Sequence, residues 1–176
     1  FVACNRSGAD IDNDGTVFPA GPVSLHVGMS GELAVLRFTA PADGEYRIRS
    51  TFKGIAGPPA GGPITTGAIF VLSGAEKVFS DKINCGGRGN ETTYDASLPL
   101  RKGQTVDVVS GAGDAAFNSD TTRVDISVAG PDGRTHEAAK DWSIGKGNPN
   151  GPWSYGWMPP GEPDPRGLAG RATGPG

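Results

Sequence analysis

The feature that most limits what this chain can fold into is a polar/apolar alternation of period two. Over residues 45–52, Tyr46, Ile48, Ser50 and Phe52 alternate with Arg47, Arg49 and Thr51, and Lys53 follows. Successive side chains of an extended strand point to opposite faces, so such a segment turns one face to a core and the other to water. Alternation recurs at 92–98, 104–110 and 121–128; 68–72 is a short apolar run read as an inner strand, and 22–27, 33–39 and 76–83 read as further short strands. Val106 and Val108 share one face of their strand, and Val124, Ile126 and Val128 point inward from the last. Turn residues separate the segments: Ala40-Pro41-Ala42-Asp43-Gly44, Ser73-Gly74-Ala75 and Leu100-Arg101-Lys102-Gly103. Short strands punctuated in this way predict an all-β fold, an antiparallel β-sandwich of the jelly-roll kind. The one helical stretch, residues 135–142, is worth one or two turns.

Composition divides the rest. The chain has 176 residues, room for one domain with appendages. It holds 29 Gly and 15 Pro, and eight of those Gly and seven of those Pro fall in residues 147–176. The expected order is an N-terminal arm (1–21), the sandwich (22–130), a connector with a short helical turn (131–146) and an extended Pro/Gly-rich tail (147–176). The chain starts at Phe1 rather than Met, as expected of a processed form. Net charge is -3 and the basic residues are scattered, which disfavours nucleic acid and anionic membranes as partners. The apolar runs are too short to insert in a bilayer.

Asp10-Ile11-Asp12-Asn13-Asp14-Gly15 is the sharpest local motif. Carboxylates at alternate positions before a glycine can wrap oxygen ligands around calcium, whereas the Glu an EF-hand needs at the twelfth position is replaced by Gly21. Asp10, Asp12 and Asp14, completed from a distance by Asp120 or Asp114, form the candidate calcium site. A solvated acidic turn is the alternative, because Asp, Asn and Gly are what turns are made of. Cys4 and Cys85 are the two cysteines; in an oxidising compartment a bridge between them closes a loop of about 80 residues and contributes about 4 kcal/mol. Two buried thiols are the other reading. Asn5-Arg6-Ser7 and Asn90-Glu91-Thr92 are glycosylation sequons. His26 and His136 have no nucleophile or carboxylate beside them in sequence, and neither a Gly-x-Ser-x-Gly elbow nor a His-Glu-x-x-His occurs, so a non-enzymatic protein is expected.

The stretch Phe38-Thr39-Ala40-Pro41-Ala42-Asp43-Gly44-Glu45-Tyr46-Arg47-Ile48 resembles a family of extracellular β-sandwich domains of planctomycetes and related environmental bacteria. The resemblance continues through Phe52-Lys53-Gly54-Ile55, Thr65-Thr66-Gly67, Phe79-Ser80-Asp81-Lys82-Ile83-Asn84, Gly103-Gln104-Thr105-Val106-Asp107 and Asn118-Ser119-Asp120-Thr121-Thr122, and covers roughly 22–128. It implies a jelly-roll-like, extracellular domain of the carbohydrate-binding-module type. In that family a segment like Asp141-Trp142-Ser143 and Asn148-Pro149-Asn150-Gly151-Pro152-Trp153-Ser154-Tyr155-Gly156-Trp157 precedes the sandwich and supplies its opening edge; here it follows.

All three Trp lie at or beyond residue 142, with Tyr155 and Met158 beside them. A solvated linker is poor in aromatics, whereas a segment that docks needs anchors. Trp142, Trp153, Tyr155, Trp157 and Met158 are therefore the expected docking residues. They fold back on their own sandwich or pass to the next copy. The second route makes an extracellular head-to-tail homopolymer. A non-catalytic carbohydrate-binding module, with those Trp facing a sugar, is the alternative.

Overall fold

The computed structural model describes residues 1–13, 15–56, 65–84, 90–113, 117–141, 143–164, 166 and 168. Strands follow in the order β1 (Val2–Cys4), β2 (Ile11–Asn13), β3 (Thr16–Phe18), β4 (Val23–Leu25), β5 (Leu33–Thr39), β6 (Gly44–Gly54), β7 (Thr66–Ser73), β8 (Glu76–Asn84), β9 (Glu91–Leu100), β10 (Thr105–Ala112), β11 (Thr122–Ala129), β12 (Thr135–Glu137) and β13 (Trp153–Met158). A single helical turn, α1 (Ala138–Asp141), and a 3-10 turn (Ile144–Lys146) lie between the last two strands.

The strands form two antiparallel sheets and a small hairpin. One sheet runs β1-β4-β11-β6-β9, with β12 also on β11; the other runs β13-β5-β10-β7-β8; β2 and β3 pair with each other. Pairing within the sandwich is nested: β7 with β8, β6 with β9, β5 with β10 and β4 with β11. A long hairpin rolled up about its own axis gives this order, which is the jelly-roll topology. The eight strands expected from the sequence are β4 to β11, each within a few residues of its predicted bounds.

The inward faces follow from the alternation. Tyr46, Ile48 and Phe52 of β6 meet Leu36 and Phe38 of β5, Ile69 and Val71 of β7, Val106 and Val108 of β10, and Val124 and Val128 of β11, all with essentially no exposed surface. The turn before β6 is pinned from inside. The Tyr46 hydroxyl donates to the Ala42 carbonyl at 2.8 Å and accepts the Ala42 N–H at 3.2 Å. Gly44 there has φ +154° and faces Pro131 so closely that a Cβ would lie 2.6 Å from its ring.

Two stretches differ from their sequence reading. Of the described residues of the predicted helical stretch, Thr135–Glu137 form a strand and Ala138–Asp141 a helical turn. Pro131, Asp132 and Gly133 form a tight turn, with Gly133 N–H donating to the Gly130 carbonyl at 3.1 Å, and this turn sends the chain back along β11. The sandwich also takes strands from both ends: β1 from the arm borders β4, and β13 from the tail borders β5.

Candidate functional site

The C-terminal segment docks on its own sandwich as a strand followed by a strap. β13 pairs antiparallel with β5 from Trp153↔Phe38 to Met158↔Leu33. Its odd residues face the core. Trp153 is buried edge-on against Phe38, with ring centroids 5.3 Å apart, and its Nε1 donates to Asp141 Oδ2 at 3.0 Å. Tyr155 is buried beside it. Met158 points the other way, to the outer face of the five-stranded sheet. There it joins Leu33, Val35, Leu72 and Val109 in a second small apolar cluster, flanked by Phe70 and by Leu168 of the strap. The strap continues across that face: Glu162 pairs with Lys77 of β8 at 3.0 Å, and the Lys77 ammonium lies 5.4 Å from the Phe70 ring centre.

The same outer face holds an ion pair removed from water. Arg37 of β5 grips Asp107 of β10 through two bonds, Nε to Oδ1 at 2.6 Å and a terminal nitrogen to Oδ2 at 2.7 Å. Asp107 has no exposed surface. Burial raises its pKa, and the Arg37 bonds and charge oppose that rise.

Trp157 is treated differently from its neighbours. It stays 44% exposed and forms one wall of a cleft of about 350 Å³ where the two sheets part, with Phe1, Val2, His26, Glu32 and Leu33 among the other lining residues. The Phe1 and His26 rings stack with centroids 5.1 Å apart. His26 Nδ1 is bonded to the Val27 carbonyl at 2.6 Å, and burial lowers the pKa of its imidazole. Glu32 is held in place by the Ser30 N–H, 3.1 Å from Oε2.

The docking residues named from sequence thus divide: Trp153, Tyr155 and Met158 are buried, Trp157 is half exposed, and Trp142 lies outside the described residues. Phe38, the surface that receives Trp153, could be foreseen only as an inward strand residue.

The described residues of the acidic motif belong to the β2–β3 hairpin. Asp12 Oδ1 accepts the Gly15 N–H at 2.9 Å and Asp10 Oδ1 accepts the Ala20 N–H at 3.1 Å. Asp120 instead faces Thr66, whose N–H and hydroxyl donate to its Oδ1 at 3.0 and 3.3 Å. Among the described residues no three His, Cys, Asp or Glu side chains gather as a metal site; Asp14 and Asp114 lie outside them. Cys4 carries a free thiol that donates to the Gly21 carbonyl at 3.0 Å; Cys85 lies outside the described residues.

Asn5 is a crosslink of the arm, its Nδ2 donating to the Ala9 and Phe18 carbonyls, both at 2.8 Å. Asn90 is exposed. His136 packs 5.5 Å from the Phe38 ring and its Nε2 is buried without a partner. No helix among the described residues is long and apolar enough to cross a membrane.

No protein-family model matches the chain, and no curated protein matches it. Among solved structures it is similar to a crystal structure of DesR, a β-glucosidase from Streptomyces venezuelae in complex with D-glucose. Identity is 22%, the TM-score is 0.35, and the match covers 72% of this chain and 14% of that one. A likeness of this size says nothing about activity.

Proposed function

We propose that the chain is a structural subunit of an extracellular protein filament, in which β13 and its strap are delivered to the sandwich of the next copy. One observation carries this reading. The C-terminal segment meets the sandwich through a sheet edge and an outer face, and it joins the body by the connector after Asp141. Every surface it covers on its own copy is presented identically by a neighbour, so exchange of the segment satisfies the same contacts. Because donor and acceptor surfaces differ, the contact is heterologous and repeats without closing unless the rotation completes a ring. Electron microscopy of the full-length chain beside a version ending at Ala139 tests it. Filaments from the first and single particles from the second support the reading; single particles from both end it.

A second reading is a non-catalytic carbohydrate-binding module, favoured by Trp157. A half-exposed indole beside a fixed carboxylate, Glu32, is a surface on which a sugar ring can stack and hydrogen-bond. Glycan-array binding that is lost in W157A supports it, and no binding to any glycan removes it.

A further inference from the structure

Sheet edges expose unpaired backbone groups that invite a strand from another chain, and native sheets defend them. The five-stranded sheet has two edges. β8 is defended by Glu76, Lys77, Asp81 and Lys82 and by a bulge, where the register slips between Val71 and Leu72. β13 has neither device. It holds no charged residue and no proline, and it runs in unbroken register along β5.

Its edge is nonetheless closed at Trp153 and Tyr155, from within the chain. The Thr39 N–H donates to the Pro152 carbonyl at 2.8 Å, which sets the phase of the ladder. The backbone groups of Ser154 and Gly156 face β5, and those of Trp153, Tyr155 and Trp157 turn outward. Asn150 exchanges both backbone bonds with Trp153, at 2.7 and 3.1 Å. The Asn148 side chain does the same for Tyr155: Nδ2 donates to the Tyr155 carbonyl at 2.6 Å, and Oδ1 accepts the Tyr155 N–H at 3.1 Å. A primary amide carries the same donor and acceptor as a peptide group, so this one side chain stands where a neighbouring strand would.

We infer that Asn148 is an edge guard: with its amide in place β13 ends the sheet, and without it the freed edge pairs antiparallel with β13 of a second copy. The sequence of the strand identifies that partner. Pairing centred on Gly156 sets Tyr155 opposite Trp157 of the other copy on both sides of the axis, and Ser154 opposite Met158. It joins the outward groups of residues 155 and 157 and leaves the Asn150–Trp153 pair intact. Aromatic residues directly opposed across strands stabilise such a ladder, and no like charges meet. The inference does not depend on filament formation; in a filament the guard keeps growth from spreading sideways.

Sedimentation and light scattering of wild type, N148A, N148D and the double variant N148A/W157K test it, with circular dichroism to verify the fold. N148A should associate with an apparent Kd about tenfold tighter than wild type, or bundle laterally where wild type forms single filaments. N148D, which still accepts the Tyr155 N–H but cannot donate to its carbonyl, should fall between. A lysine at position 157 should return N148A to wild-type association, as edge lysines do. Folded N148A that associates no more than wild type overturns the inference, and so does association that W157K leaves unchanged. Should N148A not fold, the Tyr155 amide of wild type decides: slow hydrogen exchange supports the guard, and exchange at the rate of open coil overturns it.

Discussion

Asp120 has no exposed surface, and its Oδ2 has no hydrogen-bond partner. Burial outweighs the Thr66 and Gly113 donors and raises the carboxyl from 3.8 to about 6. Between those values the native state holds more protons than the unfolded chain. The stability contributed by this group is therefore fully present below pH 4 and lost as pH rises through 6. D120N should abolish that loss: at pH 7.5 it should raise the urea midpoint and the unfolding free energy, the latter by up to about 3 kcal/mol and less where water reaches the group, while changing little at pH 4. Equal midpoints for the two proteins at pH 7.5 would refute the buried charge.

The Arg37–Asp107 pair poses the opposite problem. R37A leaves a buried carboxylate alone and should cost about 3–5 kcal/mol in chemical denaturation, whereas R37M/D107L should cost far less, because it removes both charges. Neither residue is recognisable as buried from sequence. Each sits at an outward position of its strand, and outward means solvent only where nothing crosses that face. Leu168 and Glu162 place the strap over it.

At the scale of elements, alternation and short apolar runs between turn residues located β4 to β11, because each of them sends side chains into the core. They missed β1, β2, β3 and β12, whose surroundings in the arm and connector show no sustained period; β4, equally short, lies where Val23, Leu25 and Val27 do alternate. β13 is another matter. Trp153, Tyr155 and Trp157 do alternate with Ser154, Gly156 and Met158, but the surrounding proline and glycine concealed the pattern. Trp153 is the anchor of this element, buried against Phe38 and bonded to Asp141. W153A should cost about 3–5 kcal/mol, and W153F, which keeps the ring contact and loses the Nε1 bond, should cost less. Denaturant titration separates the two. If W153A were as stable as wild type, β13 would not be a structural strand.

At the scale of the whole molecule, the proposed filament turns on which copy receives β13. Connector length controls this, since a hinge too short to close on its own domain favours exchange between chains. Deleting residues 144–147 should shift the balance further toward exchange, giving more and longer filaments than wild type, read by electron microscopy and light scattering. A folded deletion variant that assembles no more than wild type would show that the connector does not govern the choice. The fold class, the jelly-roll strands and their inward faces were legible in the residues alone, because alternation, apolar runs and turn chemistry are local properties of a few adjacent residues. The sequence also marked the Trp-rich segment as one that docks, since exposed aromatics are costly. It took the folded molecule to place that segment beside β5, to join Asp120 to Thr66, to bury Asp107 against Arg37, and to set Asn148 in a strand's place beside Tyr155. Each of these joins residues far apart in the chain or depends on which face is covered, and no local pattern encodes either.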